Sequence, residues 1–292
     1  MKNVLNYKNY INENYENDDK QDLIYYSFDI DDNLLYMPTK IHMDHLVDGE
    51  WITELVDTET FAKIRNDKTN WRFKTGHGGQ ESFLEFRDWG HDGDNTFLNG
   101  FKESVIKKKF GPSWTKFIEC LVNGNIFSII TSRGHSPNNV KRAIEWLIYE
   151  YGLNNFKNLN IKNVNKFESF EDQMIQNLLK YHDLFGSSPD YVIDEYLDYC
   201  PIYTISSTFF KNKFGKDLTA DDAKKIALKD FNDVVKNYAN ILGVKAKYGF
   251  SDDDPKFVKA AIDQFRELKN RNKNIKYSVF DTGNKEINKF KI

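Results

Sequence analysis

The stretch Ile24-Tyr25-Tyr26-Ser27-Phe28-Asp29-Ile30-Asp31-Asp32-Asn33 constrains this chain most. An apolar, aromatic run ends abruptly in acids. Ile24 to Phe28 reads as a buried strand of a parallel sheet, where near-continuous apolar runs are common. Asp29, Asp31 and Asp32 then stand at what must be that strand's carboxyl end. Open α/β sheets bind their ligands on that side. Asp29 and Asp31 are two apart, so in extended chain they point the same way. Two carboxylates aimed at one spot repel unless a cation or a proton lies between them. A solvated acidic turn is the plain alternative. An EF-hand is excluded, because the positions that loop reserves for Gly and Glu are Leu34 and Lys40.

The 292 residues suffice for one large domain, or for a core domain carrying an insertion. With 23 Phe and 16 Tyr, the core is expected to be aromatic-heavy. A net charge of -3 implies no large cationic field, so bulk attraction to nucleic acid or to a membrane is not expected. Cys120 and Cys200 lie in apolar contexts and read as reduced core thiols. The N-terminus lacks a signal-like apolar stretch, and no apolar run approaches the ~20 residues of a membrane span. The expectation is a cytoplasmic protein without a membrane anchor (host cytoplasm if the chain is viral).

Residues 1–20 are polar and read as an arm. From about Thr39 to Asn99 no simple βα rhythm is visible. Trp51–Val56 reads as a strand, Thr58–Arg65 as a helix with Thr58 as N-cap, and Phe83–Arg87 as a strand by alternation. His42-Met43-Asp44-His45 lacks further metal ligands at useful spacing and reads as a surface loop. Helices are expected over Phe97–Phe110 and Trp114–Asn123, followed by a buried strand, Asn125–Ile130, that ends in Thr131-Ser132-Arg133-Gly134-His135. Ser136-Pro137 opens a helix to about Tyr151, which completes a βα unit. Further helices are expected over 170–184, Ala220–Leu242 and Pro255–Asn270. The remaining strands are Pro201–Ile205, Lys247–Phe250 and Tyr277–Phe280. The fold class is therefore α/β: a Rossmann-like, doubly wound, mainly parallel sheet.

Three strand ends carry polar residues in order: Asp29 and Asp31, then Thr131, then Asp252-Asp253-Asp254. Each alone is weak, since an Asp run before Pro usually caps a helix. Together they resemble the haloacid dehalogenase-like (HAD) superfamily, including its phage-type members. Its first motif, Asp-x-Asp-x-(Thr/Val/Asn), is similar to Asp29-Ile30-Asp31-Asp32-Asn33. Its second, a strand ending in Thr or Ser, resembles Phe127–Thr131, and its fourth, paired aspartates, resembles Ser251-Asp252-Asp253, with Ser where Gly is frequent. The resemblance implies a catalytic core over 21–35 and 111–292, with 36–110 inserted as a cap.

It also implies roles. Asp29 would be a nucleophile forming an aspartyl-phosphate, and Asp31 the general acid, then base. Thr131 and a lysine would hold phosphoryl oxygens. Mg²⁺ would be the cofactor, held by Asp29, Asp31 through its carbonyl, Asp252 and Asp253. For the lysine, Lys224, Lys225 and Lys229 are candidates. A strand about 17 Å long corresponds to about 11 to 12 residues of antiparallel helix at ~1.5 Å each, which reaches back from Leu242 to about Asp230. That height favours Lys229, with Lys225 second. Ser132, Arg133 and His135, at the rim, are candidates for contact with the rest of the substrate. The implied activity is a phosphomonoesterase acting on a phosphorylated small molecule such as a nucleotide or sugar phosphate, because a substantial cap closes over small substrates. Nucleic acid enters only as the substrate of an end phosphatase, the enzymatic rival. A non-catalytic protein that kept the fold is the rival from another class.

Overall fold

The computed structural model describes residues 23–74, 76–152, 196–242, 244–283 and 287–292. The arm expected over 1–20 and the helix expected over 170–184 lie outside these residues.

A six-stranded sheet organises the chain. Its strands are β1 (Leu23–Phe28), β5 (Phe127–Thr131), β6 (Ile202–Thr204), β7 (Ala246–Asp252), β8 (Ile275–Asp281) and β9 (Asn288–Lys291). Their spatial order is β6-β5-β1-β7-β8-β9. The first five run parallel, and β9 pairs antiparallel with β8. This α/β architecture is compatible with a Rossmann-like fold. β1 lies between β5 and β7, so the chain's path switches sides at β1, and the carboxyl ends of these three strands adjoin. That is the usual position of a ligand crevice in such sheets.

Apolar residues on the two sheet faces build two cores. Phe28, Phe127 and Ile129 pack with α3 (Trp114–Val122) and α4 (Pro137–Trp146). Tyr25, Tyr248, Phe250, Tyr277 and Val279 pack with α6 (Ala220–Leu242) and α7 (Pro255–Arg271). Burial of both faces is why β5 reads as a continuous apolar run rather than an alternation. Both cysteines are buried and free, as expected, and burial pushes the Cys200 thiol up to about 12. No helix among the described residues is long and apolar enough to cross a membrane.

Between β1 and β5 the chain makes a second, three-stranded antiparallel sheet from β2 (Ile41–Val47), β3 (Glu50–Val56) and β4 (Trp71–Phe73), in the order β3-β2-β4. It is accompanied by α1 (Thr58–Ile64), a 3-10 segment (Gly76–Phe86) and α2 (Thr96–Ile106). Three readings of this region need correction. The His42–His45 loop is the central strand β2, and its histidines pair with acids: His42 with Glu85 at 3.2 Å, His45 with Glu54 at 2.7 Å. Phe83–Arg87 is the end of a 3-10 helix, which stops at Phe86, and not a strand. Phe83 and Phe86 are three apart, share one face of a three-residue repeat, and meet edge-on at 5.9 Å. The N-cap of α1 is Asp57, whose carboxylate accepts from Thr60 N, and not Thr58. Elsewhere, α5 (Thr208–Phe214), β4 and β9 are additional elements, and β7 and β8 run longer than expected.

The segment rejoins the core beside the acidic turn, where Gly111 N donates to Leu34 O. A Cβ at Gly111 would stand 2.4 Å from the Asn33 carbonyl oxygen, so only glycine lets the returning chain pass.

Candidate active site at the carboxyl ends of the central strands

β1 delivers Asp29 at its end, hydrogen-bonded through its backbone N to Ser251 O on β7. The chain then turns out of the sheet: Leu34 and Leu35 N both return to Ile30 O, and Asp32 adopts φ 56, a left-handed conformation that Asp tolerates. This turn separates two carboxylates that extended chain would have aligned. Asp29 faces Lys224 and Asp252, whereas Asp31 faces Arg133. Asn33 fixes the geometry. Its amide donates to Asp29 O at 2.9 Å and to Ser251 O and Oγ at 3.2 and 3.0 Å, and its Oδ1 accepts from Thr282 Oγ1 at 2.9 Å. One buried side chain thus ties the ends of β1, β7 and β8 together, a role the sequence reading did not give it.

Asp29, Asp252 and Asp253 each offer a carboxylate oxygen within 4.8 Å of the others. Lys224, on α6, enters between two of them, with Nζ 2.9 Å from Asp29 Oδ1 and 2.5 Å from Asp252 Oδ2. Its side chain is only 2 % exposed, and the ammonium lies 3.8 Å from the centroid of the Phe257 ring. Burial pulls this lysine's pKa down, but Asp252 and Asp29 outweigh it and hold the pKa above its ordinary value. Burial lifts the Asp29 carboxyl well above the usual range, with Asp252 and Asp31 adding and Lys224 opposing. Asp253 is pushed up to about 9, by burial first and then by Asp252, Asp29 and Asp32.

The lysine assignment is corrected. Lys225 is half-buried and Lys229 exposed, and neither contacts the aspartates in the way Lys224 does. Facing, not height along the helix, decides which lysine reaches the aspartates. Lys224 shares the buried stripe of Ala227, Leu228, Phe231 and Val235, at helical spacing, while Lys225 and Lys229 are four apart on another stripe. A lysine inside an apolar stripe was the signal available in the sequence.

Thr131 is wholly buried at the end of β5, its Oγ1 accepting from Arg133 N at 3.3 Å. The rim assignments also change. Ser132 is exposed, but Arg133 and His135 are buried. Arg133 makes two hydrogen bonds to Asp31, Nε to Oδ2 at 2.9 Å and Nη2 to Oδ1 at 2.6 Å, and Nη2 also donates to Thr39 Oγ1 at 2.7 Å. The rings of Phe86 and Phe97 flank its guanidinium at 4.6 and 5.4 Å. His135 packs against Phe97, and neither ring nitrogen has a hydrogen-bond partner. Burial, reinforced by Arg133 and Arg87, drives its pKa down to about 2, so it is a neutral core side chain.

The donor set of Asp29, Asp252 and Asp253 is all hard oxygen, and three carboxylates face one ammonium. Such a set could hold a hard metal cation. The Asp31 side chain is turned to Arg133 and does not belong to this group. A groove of about 440 Å³ between Tyr26, Gly249 and Phe280 lies on the sheet face and contains none of these residues. No family model, curated protein or solved structure matches the chain.

Proposed function

We propose that the protein is a Mg²⁺-dependent phosphomonoesterase of the HAD-like type, with residues 36–110 as its cap. The observation that carries this reading is the meeting of Asp29, Asp252, Asp253 and Lys224 at the ends of adjacent parallel strands, with Asp31 two residues beyond Asp29.

A phosphate ester brings negative charge. Lys224 supplies positive charge where Asp29 would meet the phosphorus, and Thr131 lies at the end of the neighbouring strand. A carboxylate oxygen of Asp29 forms a bond to phosphorus while the bond to the leaving oxygen breaks, and that oxygen takes a proton from Asp31. Water then attacks the phosphorus and gives its proton to Asp31. The Asp29–phosphorus bond breaks, restoring the carboxylate and releasing inorganic phosphate. Bound to Asp29, Asp252 and Asp253, Mg²⁺ would neutralise charge on the phosphoryl oxygens. Asp29 is 5 % exposed and Asp252 1 % exposed, an enclosure that favours a small substrate such as a nucleotide or sugar phosphate over a long polymer.

The test is hydrolysis of an aryl phosphate and of a panel of nucleotides and sugar phosphates, with Mg²⁺ and with chelator, by wild type and Asp29→Asn. Turnover that needs Mg²⁺ and falls about 10³-fold or more in the variant is expected. A folded, Mg²⁺-binding protein that hydrolyses none of the panel would overturn the reading.

A further inference from the structure

On the sheet face opposite α6 and α7, four strands present one continuous surface. Residues directly opposite each other on neighbouring strands share a face, and so do residues two apart along a strand. Lys247 of β7 is paired with Lys276 of β8. Two residues along, Tyr26 and Gly249 share a row with Lys291 of β9, and two further, Phe280 is paired with Lys289. All these residues line the groove on that face, and no Asp or Glu lines it. Four exposed lysines thus gather on a chain whose net charge is -3, a local surface that net charge does not report. Lysines on an edge strand often serve only to discourage pairing with another sheet, which would account for Lys289 and Lys291. Lys247 and Lys276 stand on interior strands, where that purpose does not arise. The floor of the groove is aromatic. The half-buried rings of Tyr26 and Phe280 lie 6.4 Å apart. A Cβ on Gly249 would stand 2.7 Å from the first ring and 3.0 Å from the second, so glycine there lets both rings lie against β7.

We infer that this groove binds single-stranded nucleic acid, with phosphates on the lysines and bases stacked on Tyr26 and Phe280. Cations about 5 Å apart across strands and about 7 Å apart along them, set around ring faces, match a chain that carries an anion and a flat ring at every unit. An acidic peptide offers the charge without a ring at every unit. A membrane calls for apolar side chains that protrude, whereas these rings form a floor. The groove contains no residue of the strand-end site, so this binding is independent of the phosphomonoesterase reading.

The test is fluorescence anisotropy of a labelled oligothymidylate of about ten nucleotides with the full chain, in chelator, at about 50 and about 200 mM salt. Neutralising four phosphates should make binding about 50-fold weaker at the higher salt. Replacing both edge lysines, Lys289→Gln with Lys291→Gln, should roughly halve the slope of log affinity against log salt. Phe280→Leu keeps the floor apolar but removes a stacking face, and should weaken binding at least about 5-fold with the slope unchanged. Asp29→Asn should bind as wild type does. The lysine pair is exposed on the last strand and carries the test if Phe280→Leu fails to fold. No binding at the lower salt, or binding unmoved by the lysine pair, would overturn the assignment. Loss of binding in Asp29→Asn would place the oligonucleotide at the strand-end site and overturn it too. Equal competition by duplex DNA or by polyglutamate would show a surface for polyanions or acidic peptides in general, and would likewise overturn it. Aryl phosphate hydrolysis by the groove variants should match wild type, so failure of the groove leaves the Asp29 result standing.

Discussion

Two buried cations serve the strand ends, and they are partnered in opposite ways. Arg133 meets one carboxylate, Asp31, through two hydrogen bonds, so charge there is balanced. Lys224 meets two, Asp29 and Asp252, with Asp253 in the same group, so charge there is not balanced. Burial first, and then the neighbouring carboxylates, push Asp253 up to about 9, so a proton on it relieves part of that surplus. Balanced pairing makes a fixed joint. Three clustered carboxyls could take one more cation, whereas the Arg133 pair has no such surplus.

The sharpest way to break the comparison is to remove each cation. Lys224→Met and Arg133→Met should each cost about 3–5 kcal/mol in urea unfolding, because each strands buried carboxylate charge. Millimolar Mg²⁺ should recover much of the Lys224→Met loss and none of the Arg133→Met loss. Equal recovery would show that the two clusters are not distinct. In wild type, Mg²⁺ at 100 times its Kd should stabilise by about 2.7 kcal/mol. Asp252→Asn and Asp253→Asn should shrink that gain, whereas Asp31→Asn, whose side chain points to Arg133, should leave it nearly intact. A gain lost as fully in Asp31→Asn as in Asp252→Asn would contradict the separation.

The two clusters also differ in how far the sequence reveals them. Asp29, Thr131 and Asp252 were legible because each ends an apolar strand, and parallel strands bring their ends to one edge. Lys224 is not singled out by its height on the helix, because distance along a helix says how high a residue stands and not which way it faces. Its place in the Ala223–Val235 apolar stripe held that information. The opposed directions of Asp29 and Asp31 were hidden because strand alternation fails where the chain leaves the sheet at Ile30. The segment 36–110 was least legible. β2 alternates buried and half-buried residues only over Ile41–Asp44, its histidines and aspartate mask even that, and their pairing with Glu54 and Arg72 on the neighbouring strands and with Glu85 on the 3-10 helix depends on how the chain folds back.

A smaller effect concerns the balanced side. His135 stands behind Arg133, with Arg87 also acting on it, and stays neutral in the fold to about pH 2. In the unfolded chain its pKa is near 6.5. The depressed folded value means that its contribution is complete above about pH 6.5 and is lost progressively as pH falls below that. Between pH 6 and 5, wild type should lose about 1 kcal/mol more stability than His135→Gln, measured by denaturant unfolding at each pH. Parallel profiles would show that His135 takes up a proton in the native state.

The smallest expected effect separates ring from charge at Lys224. Phe257 holds its ring 3.8 Å from Nζ, closer than either ring stands to the Arg133 guanidinium. Such a contact contributes through the ring quadrupole and through the exclusion of water, and Leu at this position keeps only the second. Phe257→Leu should therefore cost about 0.5 to 1 kcal/mol in wild type. In a Lys224→Met background the electrostatic share disappears, so the cost should fall by most of that amount in a double-mutant cycle. A coupling near zero would mean that Phe257 only fills space over the lysine. The carboxylates alone would then hold the ammonium in place, and the Lys224 cluster would resemble the Arg133 joint less than the two flanking aromatic settings suggest.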